Sequence, residues 1–220
     1  MITTKPYNII LADDHILLRD ALANLINGFQ EFSVIAKAAN GSEVIALIES
    51  GMLPDILVMD LNMPEMDGYE TAKWLVKNKP QIKIVILTMY GSEMVLIRML
   101  QLGVNGFLKK DIHPAELKDA LLKIAAGEQF YNTRTAEQIV SLFKQRRRNF
   151  TVEHLMLSDM EIEFLKLSAT DMSYIKIGEA LHVSKAHINS FRQTLFAKLK
   201  VHSRIELVAY AFQNGILTFE

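Results

Sequence analysis

The sequence contains no cysteine among its 220 residues. Disulfide bonds and thiolate metal sites are therefore excluded. No apolar run is long enough to cross a membrane as a helix, and the first residues, MITTKPYN, lack the apolar stretch of a signal peptide. No internal repeat is evident. We therefore expect a soluble, cytoplasmic protein with one large or two small domains.

Neither sign of charge is in large excess, because the formal net charge is −1. The distribution along the chain is nevertheless uneven. Residues 1–126 carry 12 basic and 15 acidic side chains, whereas residues 127–220 carry 12 basic and 10 acidic ones. The acidic first part suits a pocket that binds a cation, and the second part is only weakly basic.

The segment ILVMDLNMPEMDG, residues 56–68, is the most informative part of the chain. Its first four residues are apolar without interruption, which predicts a strand buried on both faces in a parallel sheet. Asp60 would then lie at the carboxyl end of that strand, where open α/β sheets bind their ligands. Pro64 and Gly68 break the chain directly afterwards.

Three more apolar runs end in polar residues. Residues 8–12 lead into Asp13-Asp14, residues 82–87 into Thr88, and residues 104–108 into Lys109-Lys110-Asp111. Taken singly, an acid here is usually a helix cap and a lysine is usually solvated. Taken together, four polar strand ends separated by helical-looking sequence predict one shared site.

In this order and spacing, residues 5 to 126 resemble the receiver domain of bacterial two-component response regulators. The resemblance implies an α/β doubly wound, five-stranded parallel sheet of flavodoxin-like topology. It also implies that a sensor histidine kinase phosphorylates Asp60, whose carboxylate attacks the phosphoryl group as a nucleophile. The protein would be a phosphoryl acceptor with at most slow autodephosphorylation, and not an enzyme.

The resemblance further implies a Mg²⁺ site, since several acids at one edge of a sheet need a counter-cation. Asp14 and Asp60 are expected to bind the metal directly, and Asp13 largely through water. The backbone carbonyl of Asn62 completes the ligands from the protein. Oxygen ligands and retained waters are what Mg²⁺ prefers.

Three other residues are expected to stabilise or sense the phosphoryl group. Lys110 balances the charge on the phosphoryl oxygens. Its neighbour Lys109 is not assigned this role, because Lys110 is the one that precedes Asp111, as in the family. Thr88 supplies a hydroxyl group to one phosphoryl oxygen. Thr88 and Phe107 then reorganise, which alters the receiver surface and promotes dimerisation.

The pattern changes after the receiver, and we divide the chain into three parts. They are a receiver domain at 1–126, a linker helix and loop at 127–155, and a helical domain at 156–220. The linker helix is predicted at 133–148. It ends in the basic cluster 144–148, which we interpret as a solvated helix end rather than a phosphate-binding arm.

Serine residues that can cap helices predict four helices in the third part. The tight turn expected between the second and third of these helices predicts a helix-turn-helix arrangement. The segment resembles the LuxR-type DNA-binding domain of the NarL/FixJ response regulators. The matching motifs are Leu157-Ser158-x-x-Glu161, Leu181-x-Val183-Ser184, Lys198-Leu199-x-Val201 and Ser203-Arg204-x-Glu206-Leu207.

The recognition helix is predicted from Ser184 to Leu199, with its apolar residues facing the core. The resemblance implies that its outer side chains contact DNA. Asparagine and glutamine can pair with adenine in the major groove, whereas cations suit phosphates. Base contacts are expected from Asn189, Ser190 and Gln193, phosphate contacts from Lys185 and His187, and further contacts from Arg192 and Lys198 at the rim.

Four positions depart from the family pattern. Asn189 stands where lysine is common, Phe191 where histidine is common, and Lys176 where glutamate is usual. His182 occupies the turn position usually held by glycine, and histidine tolerates a positive φ better than most residues. Residues 156–220 hold seven basic and seven acidic side chains, so this domain is formally neutral.

We expect a transcription regulator that binds double-stranded promoter DNA as a homodimer, with two recognition helices one helical turn apart. The alternative is a response regulator whose helical domain acts in protein–protein interaction. A phosphohydrolase using Asp60 is disfavoured, because such enzymes place a second acid two residues later and position 62 is asparagine. The intact acceptor set disfavours a regulator that is independent of phosphorylation.

Overall fold

The computed structural model describes residues 5–89, 93–131, 157–214 and 216–217, without the side chains of 93 and 94. The predicted linker helix and its basic cluster lie outside these residues. The chain forms two compact units, which are taken one at a time below. None of the helices within the described ranges is long and apolar enough to span a membrane.

A parallel sheet forms the centre of the first unit. Its strand order is β2-β1-β3-β4-β5-β6, and every neighbouring pair is parallel. The expected five strands are confirmed, and a sixth strand of two residues pairs with β5. The strands are β1 (Tyr7–Ala12), β2 (Phe32–Ala38), β3 (Ile56–Met59), β4 (Lys83–Thr88), β5 (Gly106–Lys109) and β6 (Phe130–Tyr131).

Helices follow the first five strands along the chain. Local capping defines the starts of the second and third helices, since the side chains of Asn40 and Asp67 accept backbone N–H bonds at their first turns. The fifth helix begins with Pro114, which suits a first turn. The helices are α1 (Ile16–Asn27), α2 (Gly41–Glu49), α3 (Gly68–Asn78), α4 (Glu93–Leu102) and α5 (Pro114–Ala125).

Both faces of the sheet are buried. One face, including Ile9 and Val58, packs with residues of α1 and α5 such as Ile26 and Leu121. The residues that alternate with them along the strands, such as Leu57, are also fully buried, and they point to the opposite face. Burial on both faces explains why these strands are continuous apolar runs.

The strand order places the polar strand ends together. β1 lies between β2 and β3, so the order reverses at this point of the sheet. In doubly wound sheets, ligands bind in the crevice at the carboxyl ends of the strands next to such a reversal. Residues 13 and 14 follow β1 and residue 60 follows β3, so the predicted acidic site lies at this crevice.

Four helices form the second unit: α6 (Asp159–Ser168), α7 (Tyr174–Ala180), α8 (Lys185–Leu199) and α9 (Arg204–Gln213). Ser158, Ser173 and Ser203 cap three of them as predicted, and Ser158 forms a full capping box with Glu161. Ser184 differs, because its hydroxyl contacts the ring Nδ1 of the histidine three residues on, at 2.7 Å, and caps no backbone N–H.

The core of the second unit is small and mostly aliphatic. Phe164, Ile177, Ile188, Leu195 and Leu207 are each at most 1% exposed. The turn between α7 and α8 contains a histidine at position 182, whose φ of 57° lies in the left-handed region. The helix-turn-helix geometry therefore survives without glycine at this position.

Candidate phosphoacceptor pocket and recognition helix

Asp60 is held rigidly at the end of β3. The four residues of this strand are fully buried, and the Asp60 N–H donates to the carbonyl of Ala12 at 2.9 Å. The side chain is nearly enclosed, with the residue 6% exposed. Its Oδ1 accepts the N–H of Leu61 at 2.7 Å, which leaves Oδ2 to face the neighbouring strand ends.

Gly68 closes the loop that follows Asp60. Its N–H donates to the carbonyl of Leu61 at 2.7 Å. A Cβ atom at this position would lie 2.5 Å from the carbonyl oxygen of Asp60, which no side chain can tolerate without moving the backbone. Glycine is therefore required here by the close approach of two backbone segments.

Lys110 joins the two buried acids of the pocket. Its Nζ lies 2.8 Å from Oδ2 of Asp60 and 2.8 Å from Oδ2 of Asp13. The Lys110 side chain is 3% exposed, and Asp13 is 1% exposed. Such a buried, hydrogen-bonded ion pair is sensitive to the loss of either partner, since an uncompensated buried charge remains.

The pKa values of both partners of this ion pair lie above their ordinary values, but for different reasons. Burial raises the pKa of Asp60 above its ordinary value, although the Lys110 ammonium group acts against the shift. Burial acts to lower the pKa of Lys110, but the carboxylates of Asp60 and Asp13 outweigh it, so the pKa lies above its ordinary value. Lys110 therefore stays a cation beside Asp60 at neutral pH.

A second cluster surrounds Asp14 on the outer side of the pocket. The Nδ1 atom of His15 lies 2.9 Å from Oδ1 of Asp14 and 3.3 Å from Oδ1 of Asp13. The Arg19 guanidinium group donates to the backbone carbonyl of Asp13. These contacts fix the turn between β1 and α1, and with it the direction of both carboxylates.

The residues present fit a divalent metal ion. One potential ligand atom from each of Asp13, Asp14, His15 and Asp60 can be chosen so that all four lie within 4.8 Å of one another. The buried Nδ2 atom of Asn62 has no hydrogen-bond partner among the described residues. Carboxylate and carbonyl oxygens are the ligands that Mg²⁺ takes, usually together with waters. The donor set is thus chemically suitable for Mg²⁺.

Thr88 and Phe107 complete the part of the pocket formed by β4 and β5. Thr88 is fully buried, and its carbonyl accepts the N–H of Lys110 at 3.0 Å. Phe107 lies inside the sheet and is 2% exposed. Each predicted pocket residue therefore lies at or near the carboxyl end of one of four neighbouring strands.

The recognition helix α8 presents an exposed face that carries most of the predicted DNA-contacting residues. Lys185, His187, Asn189, Ser190 and Gln193 are all exposed. The opposite face is buried by its apolar residues, so the exposed residues form one continuous surface on the helix.

Lys198 is not part of that surface. Its Nζ lies 2.8 and 2.7 Å from the two carboxylate oxygens of Glu161, and the two side chains are 17% and 12% exposed. Glu161 also accepts the backbone N–H of Ser158 in the capping box. A structural role that ties α8 to the start of α6 fits this geometry better than the DNA contact at the rim that was predicted for Lys198.

Arg192 has an aromatic partner instead of open solvent. Its guanidinium carbon lies 4.6 Å from the ring centre of Tyr174 and 6.0 Å from that of Phe196. The ring of Tyr174 also stacks parallel to that of Phe164, with 5.8 Å between the ring centres. Arg192 is half-buried, so it lies at the edge of the exposed face, and its contact with DNA stays a prediction.

Two family models match the chain. "Response regulator receiver domain" matches residues 9–122, and "Bacterial regulatory proteins, luxR family" matches residues 155–211. The chain belongs to the LuxR-type response regulators. The receiver fold and the helix-turn-helix domain inferred from sequence are thereby confirmed as the two parts of this response regulator.

Relatives of this response regulator match it over nearly its whole length. The uncharacterized transcriptional regulatory protein YxjL of Bacillus subtilis is 32% identical over 211 residues, covering 95% of this chain and 96% of the relative. The response regulator protein VraR of Staphylococcus aureus is 28% identical over 209 residues, covering 95% and 98%.

Solved structures of response regulators also match this chain. RcsB from Salmonella enterica serovar Typhimurium, bound to promoter P1flhDC in the presence of the phosphomimetic BeF3⁻, superposes with a TM-score of 0.70 at 26% identity. The match covers 94% of this chain and 99% of that one. This similarity extends to both units of the response regulator.

The sequence interpretation missed several partners of the site residues. His15 and Arg19 both contact the Asp13 turn, yet only their closeness in sequence to the acid pair could have indicated this. Glu161 was recognised as part of a family motif but not as the partner of Lys198. Nothing in the sequence indicated that the guanidinium group of Arg192 on α8 would lie over the ring of Tyr174.

Proposed function

We propose that a partner histidine kinase phosphorylates this response regulator on Asp60, and that the phosphorylated form controls transcription by binding promoter DNA through α8. The observation that supports it most is the buried Asp60 carboxylate, held 2.8 Å from Lys110 next to Asp13 at the strand-order reversal. We place this activity in the cytoplasm, where a LuxR-type regulator meets its DNA.

The pocket would bind Mg²⁺ through Asp14 and Asp60 directly, through Asp13 by way of water, and through the carbonyl of Asn62. When bound, the ion would neutralise charge on the transferring phosphoryl group. Asp60 supplies the nucleophilic oxygen, and Leu61 holds the other oxygen of that carboxylate in place. The carboxylate needs little reorientation before it attacks.

Lys110 would act on the phosphoryl group from the opposite side of the pocket. In the unphosphorylated protein its ammonium group is shared between Asp60 and Asp13. Phosphorylation places new anionic oxygens beside it, and Thr88 would donate its hydroxyl to one of them. Movement of Thr88, followed by Phe107, changes the receiver surface and promotes dimerisation.

DNA would meet the exposed face of α8. Asn189 and Gln193 would read base edges together with Ser190, while Lys185 and His187 would contact phosphates. A dimer would place two such helices in successive major grooves. The similarity to RcsB bound to a promoter supports this use of the domain.

The domain division is part of the proposal. We keep a receiver at 1–126, a connecting segment at 127–155 and a DNA-binding domain at 156–220. β6 lies within 127–155 but belongs to the sheet, so the connecting segment proper would begin after Tyr131.

The test is selection from a randomised DNA library at low salt, with and without beryllofluoride and Mg²⁺. We expect an enriched palindromic site that binds more tightly when beryllofluoride is present. Asp60→Asn should abolish this gain. Glu49→Gln, which removes an exposed carboxylate at the end of α2, should behave like the unmodified protein.

The second candidate is an output through protein–protein interaction. Two observations favour it: residues 156–220 are formally neutral, and Lys198 is engaged with Glu161. No enriched site in either state, together with a beryllofluoride-dependent complex with another protein, would replace the DNA-binding proposal with this one.

A further inference from the structure

We propose that His15 is an additional ligand of the receiver metal site and gives that site a preference for transition-metal ions. The inference rests on the metal site of the proposed function and extends its ligand set by one nitrogen. The ligand class is a divalent ion that accepts imidazole readily, such as Ni²⁺ or Zn²⁺.

The ring of His15 lies against the acids of the pocket, where its Nδ1 contacts Oδ1 of Asp13 at 3.3 Å. His15 is the N-cap residue of α1, but its side chain makes no capping hydrogen bond. Its backbone N–H donates to Oδ1 of Asp13 at 2.9 Å, which fixes the main chain at the edge of the pocket. The side chain is 67% exposed, so the ring can adjust without disturbing the core.

The spacing of the potential donors matches neighbouring positions around one ion. Nδ1 of His15 lies 2.9 Å from Oδ1 of Asp14 and 3.3 Å from Oδ1 of Asp13. Two donors at right angles on an octahedral ion, each with a bond of about 2.1 Å, lie about 3.0 Å apart. The imidazole nitrogen therefore occupies the place of a cis ligand to Asp14, which the proposed site takes as a direct ligand.

The chemistry of the nitrogen determines which ions benefit. Mg²⁺ takes oxygen ligands and keeps its waters, so an imidazole adds little to its binding. Imidazole is a good ligand for Ni²⁺, Cu²⁺, Zn²⁺ and iron, and affinity for nitrogen-containing sites rises from Mn²⁺ to Cu²⁺. His15 should therefore raise the affinity for transition metals and leave that for Mg²⁺ nearly unchanged.

The competing interpretation is a plain hydrogen bond from Nδ1 of His15 to Oδ1 of Asp13, at 3.3 Å. A hydrogen bond would orient the carboxylate for every ion alike, so its loss would weaken Mg²⁺ and Ni²⁺ binding by the same factor. A ligand would affect Ni²⁺ alone. The comparison of the two metals separates these roles.

His15→Phe is the variant for this test, since it keeps a flat ring and the backbone bond to Asp13 but removes both ring nitrogens. The helix start should survive because the side chain caps nothing. His202→Ala is the matched control, as it removes an exposed imidazole from the second unit.

Binding of Ni²⁺ and of Mg²⁺ to the full, metal-free chain would be measured by calorimetry. We expect His15→Phe to lower Ni²⁺ affinity at least tenfold while Mg²⁺ affinity stays within twofold. Added Mg²⁺ should compete with Ni²⁺ for this site in the unaltered protein. In the spin-echo spectrum of bound Mn²⁺, the modulation from a coordinated nitrogen should vanish in His15→Phe and persist in His202→Ala.

If His15→Phe and the unaltered protein bound Ni²⁺ with equal affinity, the inference would be wrong. Continued binding of Mg²⁺ would still support the metal site of the proposed function. Equal losses for both metals would overturn the inference in favour of the hydrogen-bond role. If the unaltered protein bound no Mg²⁺ and Asp60→Asn changed nothing, the metal site of the proposed function would fail, and the inference with it.

Discussion

The acceptor pocket and the recognition helix use charged residues in opposite ways. In the pocket, Asp13, Asp60 and Lys110 are buried and paired with one another, so each charge depends on its partners for stability. On α8, the residues that face outward have few contacts and contribute little to folding. Substitutions in the pocket should therefore change stability and chemistry together, whereas substitutions on the outer face of α8 should change binding alone.

Lys110→Met should show the largest effect. It removes the cation from two buried carboxylates, and the free energy of unfolding should fall by about 3 kcal/mol. Urea unfolding followed through Trp74, the chain's one tryptophan, would measure this. The control is Lys118→Met, since Lys118 pairs with Glu31 on the surface and its loss should cost less than about 1 kcal/mol. Equal losses of stability in the two variants would show that the buried ion pair of the pocket is no more sensitive than a surface ion pair.

Lys198→Met tests whether Lys198, unlike the exposed residues of the recognition helix, has a structural role. Because Lys198 is bonded to Glu161, its loss should destabilise the start of α6 by about 2 kcal/mol, the range for hydrogen bonds between charged groups. Amide exchange of residues 159–168, measured by mass spectrometry, should quicken roughly thirtyfold. Lys185→Met, which removes an exposed cation from the same helix, should leave this exchange unchanged. Faster DNA release but unchanged exchange in Lys198→Met would refute the structural role.

Gln193→Ala should affect binding but not folding. We expect about a tenfold loss of affinity confined to one base position of the selected site, because a bidentate base contact is removed. The salt dependence should not change, since no phosphate contact is lost. Competition binding against single-base variants of the site would measure it, with Thr194→Ala as the neighbouring control. A uniform loss across all sequences would place Gln193 on the phosphates instead.

The smallest effect concerns pH and the metal-free pocket. Burial holds the pKa of Asp60 above its ordinary value, so the folded state binds a proton more tightly than the unfolded state does. This contribution to stability is present at low pH and is lost as the pH rises through the pKa of folded Asp60. Asp60→Asn should therefore gain stability relative to the unaltered protein across that interval, as urea unfolding at a series of pH values would show. A difference independent of pH would exclude this linkage.

The fold and most of the pocket could be predicted because both depend on short-range patterns. Uninterrupted apolar runs such as residues 56–59 indicate buried parallel strands, and Asp60 or Thr88 follows such a run directly. Parallel strands bring those ends to one edge whatever the details of packing. β6 could not be foreseen, since a two-residue strand has no periodicity to detect.

Pairings between distant residues were harder to predict. Lys198 and Arg192 looked like free cations on a helix, but their partners depend on how α8 packs against α6 and α7. Glu161 lies 37 residues before Lys198 in the chain, and nothing in the local sequence of either residue indicates the contact. Cations on a recognition helix can therefore be assigned to DNA only after their neighbours in the fold are known.

The small strand β6 would shorten the path by which the proposed switch signal leaves the sheet. Tyr131 is in register with Phe107 on β5, and its hydroxyl donates to the carbonyl of Val104 at 3.1 Å. Along the chain, Phe107 and Tyr131 are separated by the whole of α5, but across the sheet they are separated by one strand spacing, about 4.8 Å. A displacement of β5 thus reaches the residue from which the chain continues toward the second unit in a single step, without passing through α5.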